Sequence, residues 1–315
     1  MGCTFEVLLP AGLEDAVSAA EAALDEVDRL DRSLSVYRPD SEVSRLNAAA
    51  GLGPRAVGES LLDLLQLSAR LAEDTNGAYD PAAGAIVRAW GFDAGERSVP
   101  SEGVLQAARE RSGLEHIHMD QDAGTVALSH PGVELNFGAI GKGFALDRAV
   151  AILRERCKVP SAFLQGGRSS AYALGTAPGE KRGWMVELRD PETQSDLIAT
   201  IWLRNQGLAT SGAAHRSFEA KGKRWGHILD PRTGRPAEGM RSVSVVAPSA
   251  AEADALATAF FILGPESAGR YAATHPGVGG ILVPEAPSEK MVSVVGDLEA
   301  EFSPEFRVEY GENGA

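Results

Sequence analysis

The 315-residue sequence predicts an α+β fold, and three observations carry that prediction. Helical and strand-like segments are mixed without the strict alternation of a doubly wound sheet. Runs with a 3.6-residue apolar period and short strand-like runs both recur along the chain. Gly, Pro and Asn clusters punctuate the boundaries.

Residues 3–9 alternate as a strand, and 14–34 form a helix with Leu13, Val17, Ala20, Leu24, Val27 and Leu30 on one face. Residues 36–47 read as a turn and a short helix with Asp40 or Ser41 as N-cap. Glu59–Asp74 is an amphipathic helix closed by Asn76-Gly77. Short helices follow over 82–90 and 101–112, then strands near 115–119, 125–129 and 133–136. The Gly-rich GAIGKG (138–143) opens a helix to Cys157. Strands are expected over 162–165, 172–174, 184–188, 197–203, 242–247, 280–283 and 292–294, with helices over 251–263 and 266–273 among the last group. Residues 91–101 and 284–290 read as exposed loops. With no repeat and no clear linker, a single domain over 1–315 is expected, divisible into two packed subdomains.

Apolar residues make up 44% of the chain and charged residues 23%, as in a globular protein. A net charge of −14 argues against a nucleic-acid surface or an anionic membrane as partner. No apolar run is long enough to span a bilayer, and no basic segment followed by an apolar stretch marks a secretory leader. Cys3 and Cys157 read as two reduced thiols rather than a disulfide framework or a metal cluster.

The most informative segment is AEADALATAFFIL (251–263). Asp254 and Thr258 lie one turn apart on a single helical face among apolar neighbours. An unpaired carboxylate in such surroundings is costly. Two readings fit: a hard cation with oxygen ligands, such as Mg²⁺ with a phosphate completing its shell, or a solvent-edge Asp beside a Thr that bonds back into its own helix. GAIGKG can seat a phosphate on free helix N–H groups with Lys142 as a point charge, or it can be a tight strand-to-helix turn. In HILDPRTGRP (227–236) a rigid turn carries His227, Asp230, Arg232 and Arg235. His227 has a pKa range suited to a general base, and is equally read as a loop residue bonded to a carbonyl. In NGAYDPAAGAIVRAWGF (76–92), Tyr79 and Asp80 sit at the mouth of a helix, while Trp90 and Phe92 read as core. Gly166-Gly167 permits close approach of a backbone or a ligand, and ATSG (209–212) brings two hydroxyls to a strand end. No nucleophile elbow, HExxH or kinase motif is present, so the chemistry points to metal and phosphate rather than acyl transfer.

The order of these pieces, from MGCTF (1–5) and VYRPDSEVSRLN (36–47) through ELNFGAIGKGFALDRA (134–149) and LQGG (164–167) to HILDPRTGRP and SVVAPSAAEADALATAFFILG (244–264), closely resembles the FAD:protein FMN transferase family. The resemblance covers essentially the whole chain. It implies mixed, largely antiparallel sheets packed with helices. It also implies Mg²⁺-dependent cleavage of FAD, transfer of FMN to a Thr or Ser hydroxyl of an acceptor flavoprotein, and release of AMP. Hydrolysis of FAD to FMN and AMP, or FAD binding without turnover, are the alternatives. By the resemblance, Asp254, Thr258 and the carbonyl of Ala139 are metal ligands. Met1, Tyr37, Ala78, Tyr79, Asp80, Asn136, Lys142 and Ile228 contact FAD, and His227 takes the proton of the acceptor hydroxyl. Asn136 and Arg168 stand where the family commonly has Asp, and SGAAH (211–215) replaces its SGDY. As written the chain reads as cytoplasmic, or as periplasmic or membrane-anchored if a leader precedes it.

Overall fold

The computed structural model describes residues 2–93, 95–213, 217–220, 222–285 and 290–311. The architecture is α+β with mixed, largely antiparallel sheets. The chain divides into two compact units. No helix among the described residues is long and apolar enough to cross a membrane.

The first unit comprises Met1–Arg29, Ile140–Ala214 and Glu238–Ala315. Its main sheet has eight strands, ordered Phe5–Leu8, Ala162–Gly166, Ser170–Leu174, Gln206–Gly212, Met240–Ala247, Gly279–Pro284, Met291–Gly296 and Arg307–Tyr310. Neighbours are antiparallel except the last pair, which is parallel. The central strands are covered on both faces, so Ser170–Leu174 is buried at every position rather than alternately. A three-stranded sheet of Trp184–Arg189, Leu197–Leu203 and Ala300–Phe302 packs on it through Ile198, Ile201, Leu203, Leu208, Val246, Ile281 and Val283. Each such side chain contributes about 1.5–3 kcal/mol by leaving water. The helix Ala250–Thr274 packs on Gln206–Gly212 and Met240–Ala247 and against the helix Gly141–Ala151. It breaks at Gly264 (φ 75°, ψ 177°) ahead of Pro265, which accounts for the two helical segments expected there.

The second unit comprises Leu30–Ala139 and His215–Ala237. It holds the helices Glu42–Ala48, Glu59–Asp74, Gly84–Ala89 and Glu102–Arg109, and a small sheet of Arg55–Ala56, Thr125–Leu128 and Ile117–Asp120. Ser41 Oγ accepts from Ser44 N at 3.0 Å, which makes it the N-cap in preference to Asp40. Asn76 and Gly77, both at positive φ, stop the helix Glu59–Asp74 where the turn signal placed the stop. Trp90 and Phe92 are core with Ile86, Leu105, Ala108 and Leu229.

Two expectations need correction, and some strands were not foreseen. Residues 133–136 form no ladder strand; among the described residues only Ala83 and Glu134 bridge there. The Asn47 side chain takes both backbone groups of Leu135, at 2.8 and 3.0 Å, and Asn136 N donates to Pro81 O at 2.8 Å, so the segment is latched instead of paired. The helix expected to run to about Cys157 does so, as an α-helix over Gly141–Ala151 that closes with a π turn over Ile152–Arg156. The buried stripe of the helix Ala16–Leu34 is Ala19, Ala23, Val27, Leu30 and Leu34, and Val17 is 73% exposed. The hairpin of Ser217–Ala220 and Lys223–Gly226, and the strands Ala300–Phe302 and Arg307–Tyr310, went unread because short polar edge segments become strands only through their partners.

Candidate active site

In the first unit, three elements converge on the start of the helix Ala250–Thr274. Ser249 caps it, its Oγ accepting from Glu252 N at 3.1 Å. The Asp147 carboxylate accepts from Ala250 N at 2.8 Å and Ala251 N at 2.9 Å, so the first N–H groups are satisfied by side chains. Burial pushes the Asp147 carboxyl up to about 7, against the pull of those two bonds. Gly143 and Gly207 let their backbones reach Ala250; a Cβ on either would collide with its backbone atoms.

That close packing sets the surroundings of Asp254, which is buried. Gly143 N donates to Asp254 Oδ2 at 3.0 Å, and Ser170 Oγ donates to Oδ1 at 2.8 Å. Lys142 Nζ lies 3.2 Å from both carboxylate oxygens. On the same helical face, Thr258 Oγ1 stands 3.2 Å from Ser211 Oγ on the strand Gln206–Gly212. Asp254 is therefore not at a solvent edge, and Thr258 pairs across to another element. A free N–H of GAIGKG is aimed at the chain's own carboxylate. Lys142 and Asp254, read from sequence as serving different ligands, are neighbours. Ser170 was missed, since nothing local in SSAYAL marks its hydroxyl as functional.

In the second unit, Ala78 and Tyr79 are buried. The Tyr79 hydroxyl donates to Ser68 Oγ at 3.0 Å, and its N–H donates to Thr75 Oγ1 at 3.2 Å. Asp80 Oδ1 accepts from Ala82 N at 2.8 Å; burial raises its carboxyl to about 6. Asp80 also lines a cavity of about 470 Å³ with Glu73, Asn76, Arg109, Glu115 and Arg232. Tyr37 is 55% exposed, and Ala139 is half-buried. Asn136 Oδ1 accepts from Gly138 N at 2.8 Å, a turn bond that an amide makes as well as a carboxylate. His227 is half-buried, its ring edge-on to Phe92 with centroids 6.3 Å apart. Ile228 is buried and its carbonyl accepts from Ala237 N at 2.8 Å. Met1, and residues 214 and 215 of the SGAAH departure, lie outside the described residues.

The eight-stranded sheet and the helix carrying Asp254 define a class of α+β proteins already known from solved structures. A Thermotoga maritima protein of the ApbE type superposes with a TM-score of 0.82 at 30% identity, covering 96% of this chain and 94% of that one. The apo flavinyl transferase ApbE of Pseudomonas stutzeri gives 0.80 at 27% identity, covering 95% and 91%. The chain belongs to the ApbE family, whose model matches residues 1–282. Curated relatives named FAD:protein FMN transferase include one from Treponema pallidum, 37% identical over 83% of this chain and 77% of its own length. Another, from Escherichia coli K12, is 31% identical over 85% and 78%.

Proposed function

We propose that the protein transfers FMN from FAD to a Thr or Ser hydroxyl of an acceptor flavoprotein, with Mg²⁺, and releases AMP. The acceptor oxygen attacks the FMN-side phosphorus and forms the new P–O bond. The bridging P–O bond of the pyrophosphate breaks, AMP leaves with that electron pair, and the hydroxyl proton passes to the imidazole of His227. The observation that carries this reading is the buried carboxylate of Asp254, held by Ser170 and Gly143, with the Thr258 hydroxyl on the same helical face and paired to Ser211 on the neighbouring strand. Its family membership and the names of its relatives support it independently.

The donor set fits Mg²⁺. It consists of one carboxylate and neutral oxygens, the hard ligands that Mg²⁺ takes in preference to nitrogen or sulfur. The metal would be held by Asp254 and Thr258, with the Ala139 carbonyl assigned by resemblance. Bound there, it would supply charge neutralisation at the transferring phosphoryl group. Asn136, Tyr37, the segment 78–80, Lys142 and Ile228 are assigned to FAD. Incubation with FAD and Mg²⁺, with and without a protein carrying an acceptor Thr, tests the proposal. AMP together with a fluorescent flavin band on the acceptor is expected. AMP with free FMN alone would replace transfer by hydrolysis, and bound FAD without AMP would leave only binding.

A further inference from the structure

We propose that Lys142 and a divalent cation compete for the same two lone pairs of Asp254, and that the phosphates of FAD resolve the competition by giving Lys142 another anion. Metal and FAD then bind synergistically, and metal alone binds weakly. This rests on the reading of Asp254 as a metal ligand.

An ionised carboxylate offers about four acceptor positions. On Asp254, one on each oxygen is taken by a fixed donor, Gly143 N on Oδ2 and Ser170 Oγ on Oδ1. Gly143 cannot retreat independently, because its backbone is packed on Ala250. The Lys142 ammonium spans the remaining position on both oxygens, 3.2 Å from each. A metal ion bonding to either oxygen must take a position that the ammonium now holds. The two cations would also repel at close range in a poorly solvated site. Asp254 is held where it is, with its side chain only 7% exposed. The lysine can leave, since its side chain is 21% exposed and ends a flexible four-carbon stem. A phosphate offers the ammonium a charge-assisted bond of the same kind. Because binding free energies are reciprocal, whatever draws Lys142 off Asp254 raises metal affinity, and the metal raises phosphate affinity by the same factor.

Mn²⁺ titrations followed by the electron paramagnetic resonance of the free ion test this, on wild type, Lys142→Met and Lys142→Arg, each with and without saturating FAD. Without FAD, Lys142→Met is expected to bind Mn²⁺ about tenfold or more tighter than wild type, while Lys142→Arg stays weak. FAD should strengthen Mn²⁺ binding markedly in wild type and much less in Lys142→Met. Equal Mn²⁺ affinities for wild type and Lys142→Met without FAD, or equal FAD enhancement in both, overturn the exchange. Should Lys142→Met fail to fold, wild-type Mn²⁺ affinity that FAD does not change overturns it equally. Mn²⁺ binding that survives Asp254→Asn would instead sink the metal reading itself, and the exchange with it.

Discussion

The turn 227–236 and the start of the helix Ala250–Thr274 are two places where this chain concentrates polar chemistry, and their carboxylates are neutralised in different ways. In the turn, Asp230 accepts from Arg232 Nε at 2.8 Å and Nη2 at 2.9 Å, while its carbonyl accepts from Gly234 N at 2.8 Å. That pair is neutralised within two residues and stiffens the turn, while Arg235 reaches the exposed Glu102, 133 residues away, at 2.6 Å. At Asp254 the partners come from 84 and 112 residues away, and one of them is the ammonium of Lys142 on its flexible stem. Local charge density built a rigid loop; distant donors built a carboxylate whose counter-ion can be exchanged. A dense run of charges is thus weaker evidence of chemistry than a single buried acid supplied by separate elements.

Substitutions sharpen that contrast. Asp254→Asn keeps an acceptor for Ser170 and removes the charge, so AMP release from FAD should fall by about a thousandfold or more. Retention of wild-type turnover would remove Asp254 from the metal site. His227→Ala is expected to slow flavin transfer by about two to four powers of ten while FAD affinity, measured by flavin fluorescence, stays nearly unchanged. An unaltered transfer rate would reduce the turn to a structural element.

Gly143→Ala forces a Cβ into Ala250 and should destabilise the protein by about 1–3 kcal/mol, read as a lowered thermal midpoint. An unchanged midpoint would mean the helices are not in close contact. Asp147 gives an effect that depends on pH. Its folded pKa of about 7 lies above the ordinary 3.8, so between these values the folded state holds more proton than the unfolded state. Its contribution to stability therefore falls as pH rises from about 4 to about 7, by at most about 1.4 kcal/mol per unit. Urea unfolding of Asp147→Asn should lack this component, and identical pH slopes in the two proteins would refute it. Arg232→Ala, which breaks only the local pair with the 40%-exposed guanidinium, should cost no more than about 1 kcal/mol and leave AMP release within about twofold.

Much of the architecture was legible in the residues. Ser41, the Asn76-Gly77 stop and the Gly264-Pro265 break act through the backbone of their own neighbours, so their meaning survives without a tertiary structure. The segment 133–136 was misread because its apolar alternation suits a strand, while the Asn47 amide that takes the Leu135 backbone is remote in sequence. The same limit applied at the site. Asp254 and Thr258 stood out by helical spacing, and Ser211 by its place in ATSG. Ser170 carried no local mark.

By itself the sequence determined the α+β class, the helix that carries Asp254 and Thr258, and the family to which the chain belongs. Those follow from periodicities and turn chemistry that each segment carries locally, and from the order of motifs. Only the tertiary structure decided that Ser170, Gly143 and Lys142 meet on one carboxylate and that Asn47 replaces a strand. Hydrogen bonds between distant segments depend on backbone approach at Gly143 and Gly207, which no local pattern encodes.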